Sequence, residues 1–210
     1  MSSALDTNPN QKPIGLFFEV LPKIGHRKAY FEYVNKLQPA LAENDGLLWL
    51  KRYEEIKNKK LILSHQLWKD ERSIKKWRKN NLHIIAQDAG KRIHFLDYRI
   101  RVGPCFWRWD KQDKIKSSNS IPFKAPFLLT LHIENETIEE KYLRPNKKKT
   151  IFRAIDDPRF SIILVELDEI CEFDIVKTII NSDKPNRAEL FAVNRDYSMS
   201  PRNLETGVVG

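Results

Sequence analysis

Cysteine is scarce, with only Cys105 and Cys171 among 210 residues. Two cysteines cannot build a disulfide framework, and their spacing fits no metal motif. A reducing cytoplasm is therefore the expected compartment. Glycine is also sparse, seven in all, and no glycine-rich phosphate loop occurs. HExxH, Ser-His-Asp and Cys-His signatures are missing too, which leaves the common hydrolase chemistries without their residues. No apolar run approaches the roughly 20 residues that a membrane-spanning helix needs. The N-terminal MSSALDTNPNQKP has neither a basic nor an apolar region, so no signal peptide is expected.

What is present is a globular composition, 41% hydrophobic and 10% aromatic, with a formal net charge of +9. The charge is lopsided. Residues 1–103 hold 20 Lys and Arg against 11 Asp and Glu, whereas residues 104–210 hold 17 of each. This asymmetry suggests two units. It also raises an anionic partner for the first, but a basic surface is first a matter of solubility, and nucleic acid is the disfavoured partner.

The first unit reads as strand, helix, two strands, helix, strand. Ile14–Leu21 lies between Pro13 and Pro22 and is short and apolar, as a strand is. Between Gly25 and Asn44, Ala29, Tyr30, Tyr33, Val34, Leu37 and Leu41 recur every three or four residues, a helical stripe that Pro39 should kink. Gly46 is expected to take the left-handed conformation past its end. Leu47–Ile56 and Leu61–Trp68 should form a hairpin across the Lys57–Lys60 turn. Alternation puts Ile62, Ser64, Gln66 and Trp68 on one face and Leu61, Leu63, His65 and Leu67 on the other, with one face under the helices. Asp70 caps a helix carrying Ile74 and Trp77; Asn80-Asn81 should break it. A further turn follows, with His83 and Gln87 four apart on one face, before a closing strand at about His94–Val102. This order is the ferredoxin-like, split βαβ pattern.

Residues 103–125 read as a linker rich in Ser, Asn and Pro after Trp109, with Phe106, Trp107 and Trp109 folding back onto one of the units. Beyond it the order recurs: strands at Pro126–Ile133, Thr150–Ile155, Ser161–Leu167 and Ala188–Tyr197, a short helix within 134–145 and a helix from Asp168 to about Asn181. The expected domains are thus 14–102, a linker 103–125, and a diverged second ferredoxin-like unit at 126–198. The termini, 1–13 and 198–210, look too polar to bury.

Within the first unit, GLLWLKRYEE, KLILSHQLWKDERSIKKWRKN, HIIAQDAGKR and DYRIRV together resemble the antibiotic biosynthesis monooxygenase (ABM) family. The features are Trp68 with Asp70-Glu71, Trp77-Arg78, His83, Gln87 with Gly90, and Asp97-Tyr98-Arg99, over about residues 14–102. The resemblance implies an α+β fold, a ferredoxin-like dimeric α+β barrel in which two sheets face each other and close. Here that means a homodimer or, with the second unit, an intramolecular pseudo-dimer. It also implies a pocket between sheet and helices, and in some members oxygenation of polycyclic phenols and quinols without any cofactor or metal.

Such chemistry needs a substrate anion that gives an electron to oxygen; the protein deprotonates it, holds it and excludes water. His83 is the candidate base. Arg78 or Arg92 would stabilise the phenolate. Trp77 and Trp68 would form flat walls, with Gln87, Tyr30 and Tyr33 also facing the small aromatic molecule. Each has a plainer reading: the tryptophans as core, His83 as a capping or surface histidine. A non-catalytic binding or scaffold protein on the same fold is the alternative function. The haem-degrading branch of the family is disfavoured. Its iron ligand would fall where Gln87 stands, and an amide is a poor haem ligand; His83 or His65 would have to bind iron instead.

Overall fold

The computed structural model describes residues 12–111, 116–117, 126–134, 148–168 and 185–199. Its elements are β1 (Ile14–Pro22), α1 (Arg27–Ala42), β2 (Leu47–Glu55), β3 (Ile62–Trp68), α2 (Glu71–Arg78) and α3 (Asn81–Ala89). A π-helical turn (Gly90–His94) leads into β4 (Phe95–Asp110). Then come β5 (Lys116–Ser117), β6 (Phe127–Glu134), β7 (Lys149–Ala154), β8 (Phe160–Leu167), β9 (Arg187–Ala192) and β10 (Arg195–Ser198). Local chemistry sets the boundaries. Asp70 caps α2 by accepting from the Ser73 N–H at 2.7 Å, and Asn80 caps α3 by accepting from the His83 N–H at 3.2 Å. The Asn80-Asn81 break thus splits one helix from the next. Pro39 lies inside α1.

The strands form one sheet in the order β1-β3-β2-β7-β8-β6-β9-β4, and β4 returns to β1. All pairings are antiparallel. The result is a closed eight-stranded barrel plus helices. It is one continuous sheet, not the two facing sheets expected from the sequence, and it closes within one chain through β2–β7 and β4–β9. The order β2-β3-β1-β4 in the first half recurs as β7-β8-β6-β9 in the second. The helices expected within 134–145 and 168–181 lie outside the described residues, apart from their first positions Glu134 and Asp168.

Three expectations are corrected. The last strand of the first unit does not stop at Val102. β4 runs to Asp110 and carries residues 103–110, read as linker, into the sheet, where Trp107 and Trp109 join Leu129, Val165 and Leu190 on the face opposite the barrel interior. The Ala188–Tyr197 strand is broken at 193–194 into β9 and β10, and both pair with β4. The break falls where β4 has Gly103: any Cβ there would strike the Ala192 carbonyl oxygen. Finally, Gly46 is not left-handed. Gly25 is, with φ of 81°, and Gly46 instead leaves room for Ser73 of α2.

Alternation sorts the side chains. The barrel interior takes Phe17, Tyr53, Leu63, Leu67, Leu128, Phe152, Ile162, Leu164 and Phe191. The helix-facing side of the first half takes Leu41, Trp68, Ile74, Trp77 and Val102, and further along Val20, Tyr30 and Ile62. Charges tie the halves together. Arg101 on β4 is 3% exposed and bonds Glu19 of β1 at 2.5 Å and Glu166 of β8 at 2.9 Å. Arg99 shares Glu166 at 2.7 Å and reaches Asp196 of β10 at 2.6 Å.

Candidate active site

A cavity of about 370 Å³ lies between the first-half sheet and its helices. Register builds its floor. Arg52, Ser64, Phe18, Ile100 and Tyr197 form one row across β2, β3, β1, β4 and β10, because each is paired with the next. Leu50, Gln66, Leu16, Val102 and Arg195 form the neighbouring row. All of these but Leu50 line the cavity. The Ile62–Trp68 face of β3 is therefore the one beneath the helices, and a period of two along each strand selects which residues meet a ligand. The roof is helical: Tyr30, Tyr33 and Leu37 of α1, Trp77 and Arg78 of α2, His83 and Gln87 of α3, and Lys91 and His94 of the π turn.

His83 is the most defined group. Its ring stacks on Trp77 with centroids 4.4 Å apart and an interplanar angle of 21°. Its Nδ1 lies 3.1 Å from the Trp77 carbonyl oxygen. A carbonyl only accepts, so Nδ1 carries the proton and Nε2 keeps its lone pair. Burial pushes the His83 pKa down to about 4; the bond to Trp77 opposes this, and Arg78 adds to it. The ring is therefore uncharged at neutral pH. The Gln87 side-chain nitrogen stands 3.3 Å from Nε2, near enough to hold a ligand atom beside it or to occupy that lone pair when the cavity is empty.

The floor holds an ordered chain of donors. Trp68 Nε1–H donates to the Gln66 side-chain carbonyl at 3.0 Å. The Gln66 amide donates to Ser64 Oγ at 3.2 Å. Beside Ser64, Arg52 lies near the Tyr30 phenol, whose pKa is raised by burial, with the Arg52 charge opposing the rise. Four cationic side chains line the cavity (Arg52, Arg78, Lys91 and Arg195), and none of the described lining residues is an acid. Arg195 is engaged by Glu71 at 2.6 Å.

Of the residues singled out in the sequence, the structure brings His83, Trp77, Arg78, Gln87, Tyr30 and Tyr33 to this cavity. Two others lie elsewhere. Trp68 is fully buried in the helix-facing core beside the cavity and touches it only through Gln66, so it is no substrate wall. Arg92 points to solvent and pairs with Asp88 one turn back, at 2.7 Å. Trp68 is core, and Trp77, 4% exposed, packs in the core and lines the cavity. His65, the other histidine considered as an iron ligand, faces the barrel interior between Phe17 and His132 and away from the cavity. Arg52, Ser64, Gln66, Tyr98, Arg195 and Tyr197 were missed. The strand alternation already placed Ser64 and Gln66 on one face; Arg195 and Tyr197 enter only through the long-range pairing of β10 with β4.

Residues 13–89 match the family model described as antibiotic biosynthesis monooxygenase. They span β1 to the end of α3, the elements that form most of the cavity wall. A curated relative, a jasmonate monooxygenase of Pyricularia oryzae, is 34% identical over 88 residues. That match spans 42% of this chain and 41% of the relative, less than half of either. Among solved structures, a provisionally named monooxygenase from Lactobacillus acidophilus NCFM is 11% identical, covering 89% of this chain and 96% of its own, with a TM-score of 0.45. A similarly named protein from Fusobacterium nucleatum is 12% identical over 91% of this chain and 96% of its own, TM-score 0.45. A conserved protein from Methanosarcina mazei Go1 is 14% identical over 45% of this chain and 93% of its own, TM-score 0.41. Among the described residues, no helix is long and apolar enough to cross a membrane, and no cluster of three His, Cys, Asp or Glu side chains could hold a metal ion.

Proposed function

We propose that the ABM domain houses a cofactor-independent monooxygenase site that takes a flat aromatic or polycyclic phenol or quinol. The observation that carries this reading is His83: an uncharged imidazole with its tautomer fixed by the Trp77 carbonyl, stacked on an indole in the wall of an aromatic cavity. Trp77 offers a flat surface for a flat ligand. His83 Nε2 accepts the phenolic proton. With a conjugate-acid pKa of about 4 it is a weak base, so the cations of the cavity must stabilise the phenolate for the transfer to proceed. Arg78 is assigned this role, with Gln87, Tyr30 and Tyr33 holding the ring. The electron-rich anion then reduces dioxygen by one electron, and the radical pair combines to a carbon-bound peroxide. Loss of water leaves a carbonyl. A phenol with a free para C–H and one dioxygen thus give a quinone and one water, and the substrate itself supplies the electrons.

The test is oxygen uptake by the purified protein with hydroquinones and anthrones under air. Uptake is expected, with His83→Ala and Trp77→Ala each reducing it on the order of a hundredfold, the usual scale for loss of a general base. Uptake untouched by both variants places the chemistry elsewhere. No uptake and no ligand-induced thermal shift across the panel supports the alternative, a non-catalytic scaffold on this fold.

A second substrate reading comes from the Pyricularia relative, named for jasmonate. The cavity's four cations and lack of acids favour an anion of that kind. We also infer that the chain is two tandem ferredoxin-like units, 14–102 and 126–198, the second diverged, making an intramolecular pseudo-dimer. The repeated strand order supports this. An experimental structure with no helical crossovers between β6 and β7 and between β8 and β9 would refute it.

A further inference from the structure

The floor of the cavity contains donors that no acceptor among the described residues uses. Arg52 Nε is buried and has no hydrogen-bond partner among the described residues. The nearest acid on the same face of β2, Glu54, is already taken by Arg27 at 2.9 Å. Across the β2–β3 ladder from Arg52 stands Ser64, whose Oγ accepts from Gln66 and so keeps its own proton to give. Above them stands the Tyr30 phenol, close enough to Arg52 to feel its charge, with its proton uncommitted among the described residues. All three side chains line the one cavity, and Ser64 is polarised by the Gln66 amide behind it. A buried guanidinium nitrogen without an acceptor costs free energy in the empty protein, and a matching anion relieves that cost.

We infer that Arg52, Ser64 and Tyr30 form a carboxylate subsite, so that the cavity selects an apolar ligand bearing a single carboxylate. A carboxylate brings two oxygens and about four lone-pair directions, enough for all three donors; a phenolate brings one oxygen. The apolar remainder of the ligand would lie along Phe18, Ile100 and Leu37 toward Trp77. This rests on reading the cavity as a small-molecule site and is independent of whether oxygen reacts there.

The probes are 1-naphthoate and its neutral methyl ester, with binding measured by calorimetry at pH 7 without any turnover. Wild-type protein should bind the acid about ten- to a hundredfold tighter than the ester, as expected for charge-assisted hydrogen bonds. Arg52→Met should bring the ratio to about one, whereas Lys75→Met, on the exposed face of α2, should leave it unchanged. Ser64→Ala and Tyr30→Phe each remove one donor with little change of shape. They should weaken the acid several-fold and leave the ester alone, which keeps the test decisive if Arg52→Met does not fold. Equal binding of acid and ester by wild-type protein overturns the assignment. So does an acid preference that survives Arg52→Met, or one that survives both single-donor variants. Failure of oxygen uptake with a retained acid preference would remove the proposed oxygenase and leave the subsite standing.

Discussion

His83 supplies the sharpest quantitative prediction. Its ordinary pKa of 6.5 falls to about 4 in the folded protein, chiefly by burial against Trp77. Proton binding is then stronger in the unfolded chain. The sign follows directly: His83 costs nothing above pH 6.5, and folding loses stability as the pH falls from 6.5 toward 4. At about 1.4 kcal/mol per pH unit the loss reaches up to about 3 kcal/mol. Urea unfolding of wild type and His83→Gln at pH 7.5 and pH 4 isolates this contribution, because His65 and His132, whose pKa values are also lowered by burial, are common to both proteins. The wild type should lose on the order of 3 kcal/mol more than the variant over that interval. A proton NMR titration of the imidazole should place its midpoint near 4. A midpoint near 6.5, or equal losses for both proteins, refutes the buried, carbonyl-bound imidazole and with it the assigned lone pair on Nε2. If oxygen uptake depends on His83 as base, its acid limb should also fall near pH 4 and not near 6.5.

Other perturbations follow from the packing. Arg101→Met leaves Glu19, 7% exposed, without its cation, and should cost on the order of 3–5 kcal/mol in denaturant unfolding; a loss below 1 kcal/mol would show the pair to be solvated. Gly103→Val drives a side chain into the Ala192 carbonyl where β4 passes beneath the β9–β10 break. The expected result is loss of a cooperative thermal transition, and an unchanged melting temperature would disprove the close approach.

The legible parts of the chain were those governed by local rules. Asp70 announced its cap and Asn80-Asn81 the break after α2, and the alternation of β3 put Ser64 and Gln66 together before any pairing was known. Helical spacing likewise put His83 and Gln87 on one face. What failed depended on contacts distant in sequence. The polar, proline-containing stretch after Val102 looked like a linker because nothing local reveals that 105–110 pairs with β9. Nor does anything local show that the Ala188–Tyr197 strand must break to cross Gly103. Arg92 looked as available as Arg78, but its i,i+4 partner Asp88 captures it. Trp68 ends a strand and Trp77 lies on the next helix, and only the position of α2 over the sheet decides which indole meets the cavity. Arg195 and Tyr197 reach a site more than 90 residues earlier in the chain only because β4 has a second free edge.

That the barrel closes through β2–β7 and β4–β9 of one polypeptide has a consequence for dilution. A barrel assembled from separate chains falls apart as protein becomes scarce, since closure there competes with the entropy of association. Here the two seams are joined by the chain itself, so closure is a first-order event with an effective concentration set by the connecting segments. Closure of the barrel then adds no concentration dependence of its own to the unfolding midpoint. A mutation at either seam also acts once, on one side of the ring, with no symmetry-related copy to double its effect.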